Sequence, residues 1–137
     1  MKVSGFTFIR NAILLDYPIL EAIRSILPLC DEMIVAVGQS EDETLGLIQS
    51  LNDPRIRIIP TVWDDSLRVG GRVLAVETDK ALAAVSPEAD WAVYIQGDEV
   101  FHEDGIPHLR RAMEQALHRQ EVDGLLLNYR HFYASYD

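Results

Sequence analysis

The sequence lacks most of the features that mark secreted, membrane-spanning or nucleic-acid-binding chains. One cysteine, Cys30, occurs in 137 residues, so no internal disulfide can form, and a reducing, cytoplasmic setting is expected. Its neighbours, Leu27-Pro28-Leu29, suit a buried and inert thiol. No apolar run is long enough to cross a bilayer, and Met1-Lys2-Val3 leads straight into strand-like sequence with no signal segment. Basic residues are scarce, 12 Lys and Arg against 22 Asp and Glu, for a net charge of −10; this counts against a nucleic-acid partner. No Gly-x-Gly-x-x-Gly follows a strand and no Gly-Lys-Ser/Thr closes a glycine loop, which disfavours a dinucleotide dehydrogenase and a P-loop enzyme. No second histidine lies at zinc-site spacing from His102.

What is present is a regular alternation of strand-like and helix-like segments. Apolar residues make up 48% and charged residues 25%, a balance that supports one folded domain over residues 1–137. Val3–Ile9, Met33–Val37, Ile56–Ile59, Trp91–Ile95 and Gly124–Tyr129 read as strands. Between them, Pro18 opens a helix with Leu20, Ile23, Ile26 and Leu27 on one face. Ser40-Glu41-Asp42-Glu43 has the form of a capping box for a helix that buries Leu45, Ile48 and Leu51. A third helix is expected to bury Leu74, Thr78, Ala81, Leu82 and Val85, and a fourth, from Pro107, to bury Leu109, Met113, Ala116 and Leu117. The pattern predicts an α/β fold, a mostly parallel, Rossmann-like sheet with helices on both faces.

In such sheets ligands bind beyond the carboxyl ends of the strands. The residues that follow the apolar runs are Arg10 and Asn11; Gly38, Gln39 and Ser40; Thr61, Trp63 and Asp64; and Gly97, Asp98 and Glu99. The carboxylates of Asp98 and Glu99 suit Mg²⁺ or Mn²⁺, which need only one or two protein acids when phosphate oxygens complete the shell. His102 is a weaker metal candidate. Such an ion would also offset the domain's acidity near an anionic ligand. Arg68 and Arg72 flank Gly70-Gly71 ahead of a helix and could both reach one phosphate.

These segments resemble glycosyltransferase family 2 with the GT-A fold: a strand ending in Arg10-Asn11, then Val-Gly-Gln-Ser-Glu-Asp-Glu-Thr, then Tyr-Ile-Gln-Gly-Asp-Glu-Val. The resemblance covers nearly the whole chain as the N-terminal, nucleotide-sugar-binding part of such an enzyme. It implies metal-dependent, inverting transfer of a sugar from a nucleotide-diphosphate donor to a carbohydrate or other acceptor. It implies donor contacts from Phe8, Arg10, Asn11, Gly38, Ser40, Asp42, Arg68, Arg72, Gln96 and Gly97, with Asp98 as the metal ligand of an Asp-x-Asp-like motif. Gly38 stands where the family commonly has a base-contacting Asp, and Gln96 stands where the motif has its first Asp.

The expected catalytic base lies beyond residue 137, beside an acceptor half this chain does not include, so the fragment is expected to bind a donor without completing transfer. Tyr133 and Tyr136 could face an acceptor. Two alternatives stay open: a sugar nucleotidyltransferase, which lacks support because no basic, glycine-rich loop follows the first strand, and a non-catalytic domain that keeps the scaffold. Self-association through an exposed sheet edge is a further expectation.

Overall fold

The computed structural model describes residues 1–132. Tyr133, Tyr136 and Asp137 lie outside them.

Four strands form one parallel sheet in the order β3-β2-β1-β4: β1 Val3–Ile9, β2 Glu32–Gly38, β3 Ile56–Thr61 and β4 Trp91–Tyr94. The helices are α1 Ile19–Ile26, α2 Thr44–Gln49, α3 Arg72–Ala83 and α4 Gly105–Ala116. From β1 to β3 the chain steps one way across the sheet, through α1 and α2. It then crosses to the far side of β1 through α3. A parallel crossover is right-handed, so reversing the direction of travel moves the connecting helix to the opposite face.

Burial follows the two-residue period of the strands. Val3, Ile9, Met33, Val35 and Val37 pack with Ile19, Ile23 and Ile26 of α1, Ile48 of α2 and Leu109 and Met113 of α4. The alternate residues Phe6, Ile34 and Ala36 pack with Ala81 of α3. β2 lies between two partners and is buried along almost its whole length. Among the described residues β4 pairs with β1 alone, and Ala92 and Tyr94, on one face of the strand, are exposed.

Three sequence expectations are corrected. Gly124–Tyr129 forms no strand among the described residues, so its strand-like composition does not by itself set its structure. Ser40 and Glu43 make no capping box, because α2 starts at Thr44 and Glu43 caps nothing with its side chain. In α3 the buried positions are Val73, Glu77 and Ala81, while Leu74 and Leu82 are 47% and 45% exposed. The stripe is rotated because a glutamate, not a leucine, faces the sheet.

Candidate functional site

The carboxyl rim is built by two loops tied to each other. After β1 the backbone enters the left-handed region at Asn11, with φ 53°. Asn11 N–H donates to Ser40 Oγ at 3.0 Å, Glu41 N–H to Asn11 Oδ1 at 2.8 Å, Ala12 N–H to Thr44 Oγ1 at 2.8 Å and Leu14 N–H to Asp42 Oδ2 at 2.8 Å. Ser40 Oγ in turn donates to the Gly38 carbonyl at 2.8 Å. Asp42 Oδ1 accepts from Thr44 N–H at 2.9 Å and from the Thr44 hydroxyl. Partial burial works against ionisation of Asp42, but the Thr44 and loop hydrogen bonds outweigh it and hold the carboxyl below its usual range. Asn11, Ser40 and Asp42 therefore form the frame of the rim.

Over this frame lies Trp63, delivered by the loop after β3. A Cβ at position 38 would stand 2.4 Å from Trp63 Nε1 and 3.1 Å from Arg10 Cβ, so the indole rests on bare backbone there. The Trp63 ring lies 5.8 Å from Phe8, and the Arg10 guanidinium carbon stands 5.5 Å from its centroid. Phe8 stacks with Tyr94 at 6.5 Å, carrying the aromatic row across β1 to β4. Beside Trp63 opens a cleft of about 260 Å³ lined by Arg10, Gln39, Ser40, Glu41, Val62, Trp63 and Asp65. That is slightly smaller than the roughly 300–1,000 Å³ usual for small-molecule sites, a size closer to a base and ribose than to a whole nucleotide sugar.

The cleft's cations are engaged by an acid of the chain itself. Arg10 Nη1 meets Asp65 Oδ1 at 3.0 Å, and Arg68 Nη2 meets the same oxygen at 3.2 Å. These two arginines lower the Asp65 pKa. Arg10 Nε and Trp63 Nε1 are buried with no protein partner. Arg72 is exposed at the start of α3 and joins no ion pair among the described residues, whereas Arg68 is engaged by Asp65. The Gly70-Gly71 turn is left-handed, with φ 67° and 72°.

The acidic turn lies on the other side of β1. β4 is in register with β1 only as far as Phe6↔Tyr94, and Gly97 then packs under Ile9, whose Cδ1 would stand 2.8 Å from a Cβ there. Gln96 is exposed, and its N–H donates to Glu99 Oε2 at 2.9 Å. Asp98 is exposed, with no hydrogen bond or ion pair among the described residues, and it does not line the cleft. His102 is exposed and accepts from Asp104 N–H at 3.2 Å. Burial raises the Tyr94 pKa; a hydrogen bond from Thr78 opposes this, and the charges of Glu99 and Asp98 add to it. Both acids thus act electrostatically on the last ring of the aromatic row. No group of three or more His, Cys, Asp or Glu able to hold a metal occurs among the described residues. One free carboxylate with a half-engaged neighbour fits an ion shared with a diphosphate, and does not fit a protein-only cage.

With this geometry in view, the fold has known counterparts. Residues 1–349 of S. aureus TarS in complex with UDP match with a TM-score of 0.62 at 19% identity, over 84% of this chain and 32% of that one. A second structure of S. aureus TarS residues 1–349 matches with a TM-score of 0.57 at 17% identity, over 84% of this chain and 33% of that one. A further S. aureus TarS structure gives 0.55 at 16% identity, over 84% of this chain and 20% of that one. The likeness shows a shared fold, a parallel sheet flanked by helices. This chain spans a third or less of each TarS chain. No protein-family model matches the chain, and no curated protein matches it.

Sequence reasoning placed Phe8, Arg10, Gly38 and Ser40 at one rim, and the structure brings them together. It also placed Gln39 and Trp63 at that rim, without assigning Trp63 as a wall of the cleft, and it missed Asp65, Glu41 and Val62. A tryptophan in an acidic loop just after a strand, facing a glycine that ends the neighbouring strand, was the available signal.

Proposed function

We propose that this chain is the nucleotide-binding part of a family 2 glycosyltransferase with a GT-A-type fold, taking a nucleotide-diphosphate sugar with Mn²⁺ or Mg²⁺. The observation that carries the reading is the cleft at the carboxyl rim, walled by Trp63 and Arg10, where a parallel sheet binds ligands. The cleft receives the base and ribose. Gln39 and Ser40 offer polar groups to them, and the Trp63 wall offers an aromatic surface. The diphosphate exchanges places with Asp65 on Arg10 and Arg68, and continues across Phe8 and Tyr94 toward Asp98. There Asp98, with Glu99 as a second oxygen donor, would hold a divalent ion, which would offset the negative charge of the diphosphate. UDP is the first nucleotide to try, because a TarS structure of this fold was determined with it. The reading concerns donor binding alone and assigns no acceptor site and no general base among the described residues.

A non-catalytic domain on the same scaffold is the competing reading, favoured by Gln96 in place of an acid and by the lack of partners around Asp98. Thermal melts separate the two. The protein is melted with UDP, GDP and TDP, with and without Mn²⁺, and again as Asp98→Ala. A ligand at about 100 times its Kd stabilises the folded state by about 2.7 kcal/mol, a shift of several degrees. The proposal expects a shift that grows with Mn²⁺ and loses its metal dependence in Asp98→Ala. No shift with any diphosphate supports the non-catalytic domain, and a shift confined to nucleoside triphosphates supports nucleotidyl transfer.

A further inference from the structure

Among the described residues, Glu77 is the only acidic or basic residue that is buried, at 0% exposure in the middle of α3. A carboxylate in that position is costly unless it is paired and hydrogen-bonded. Leucine or methionine would fill the same space without the cost, so packing alone does not explain the charge. Glu77 Oε1 meets Lys80 Nζ at 2.5 Å. Lys80 Nζ also donates to the Val62 carbonyl at 3.1 Å. Val62 directly precedes Trp63, and both line the cleft.

The placement of α3 puts this relay under the cleft wall. Ala81 packs on Phe6, Ile34 and Ala36. One helical turn earlier, about 5.4 Å nearer the carboxyl rim, Glu77 stands at the level of Phe8 and Gly38, the two residues Trp63 covers. Thr61, in register with Gly38, is at that level too. Thr61 Oγ1, Trp63 Nε1 and Glu77 Oε2 are all buried there without a protein partner. The polar tie that does reach the loop is the one from Glu77 through Lys80 to the Val62 carbonyl, at a residue that is itself 70% exposed.

We infer that Glu77 is a positioning residue for the cleft, holding the Trp63 wall in place through Lys80 and the Val62 carbonyl. The inference rests on the nucleotide reading of that cleft for its functional consequence, but the relay itself is testable without any nucleotide. Removing either end of the relay frees the loop from Val62 to Asp65, exposes the Trp63 indole, and separates Asp65 from Arg10 and Arg68. Ligand binding must then reorder the loop before it can use the wall.

The test uses a Trp91→Phe background, which leaves Trp63 as the reporter, since the chain has two tryptophans. Glu77→Gln keeps the shape of the side chain and removes its charge. Lys80→Met alters a side chain that is 39% exposed but leaves the buried Glu77 without its cation, so far-UV circular dichroism first establishes that the variant folds. Lys80→Arg serves as the conservative rescue. Fluorescence quenching by acrylamide and the emission maximum are read first without ligand, and UDP is then titrated with Mn²⁺. Both relay variants are expected to raise quenching and shift Trp63 emission to the red, with the double variant no worse than either single one and Lys80→Arg close to the parent. UDP affinity is expected to fall about tenfold, the equivalent of one lost charged hydrogen bond. Unchanged quenching in folded Glu77→Gln and Lys80→Met overturns the inference, as does full additivity of the two. Increased quenching in protein that binds no nucleotide in any variant leaves the relay standing and removes the nucleotide reading of the cleft.

Discussion

Trp63 covers Gly38, with its Nε1 only 2.4 Å from where a Cβ on that glycine would stand. This contact closes the end of β2 and makes one wall of the cleft at once. Any side chain at position 38 must move the indole. Gly38→Ala is therefore expected to destabilise the protein by about 1–3 kcal/mol, the usual cost of overpacking. Trp63 should also become more accessible. Denaturant unfolding followed by far-UV circular dichroism gives the first quantity and indole fluorescence the second.

Asp42 carries a larger structural share than its position suggests, because it ties the loop after β1 to the start of α2 through Leu14 and Thr44. Asp42→Ala leaves those donors without their acceptor. The expected loss is about 1–2 kcal/mol, in the range of a lost helix cap. Hydrogen exchange should quicken at Leu14 and Thr44 and stay unchanged in β2.

The pairing of Asp53 with Arg55 gives a pH signature. Arg55 Nε and backbone N–H both donate to Asp53 Oδ1 at 2.9 Å, and Arg55 Nη2 meets Asp53 Oδ2 at 2.7 Å. The Arg55 side-chain and backbone hydrogen bonds pull the Asp53 pKa from 3.8 down to about 2. A depressed folded-state pKa contributes stability that is present above the unfolded value and lost as pH falls through the folded one. Asp53→Asn should therefore lower Tm at neutral pH. Its difference from the wild type should shrink as pH falls from about 4 towards 2. Melting both proteins across that window is the check; a constant difference would show that the charge contributes nothing.

The sheet was legible in the sequence because four strands are short apolar runs followed by polar or turn residues, and buried strands need little else to be read. Helix α4 was legible for a similar reason, with Leu109, Met113 and Ala116 buried as their spacing requires. Where hydropathy failed, an interaction outside the local window decided. Glu77 could take a core position because Lys80 meets it, and this turned Leu74 and Leu82 towards solvent. Ser40 has the residue type of a helix cap but serves Asn11, a partner far away in the chain. Gly124–Tyr129 has strand composition, but no local pattern supplies the neighbouring edge a strand must pair with. At the rim, the positions after each strand were readable from topology. The assembly of Trp63, Arg10 and Asp65 depends on how a long loop folds back across three strand ends, and periodicity carries no information about that.

Calorimetric titration of UDP in the presence of Mn²⁺, with wild type and Arg10→Ala side by side, tests the proposed nucleotide site most directly. The expected result is saturable binding by the wild type, weakened about tenfold or more by Arg10→Ala, which removes the cation over Trp63 and, on the proposed reading, a phosphate partner. Heats equal to simple dilution for folded wild-type protein, up to millimolar UDP, would contradict a nucleotide site at this rim.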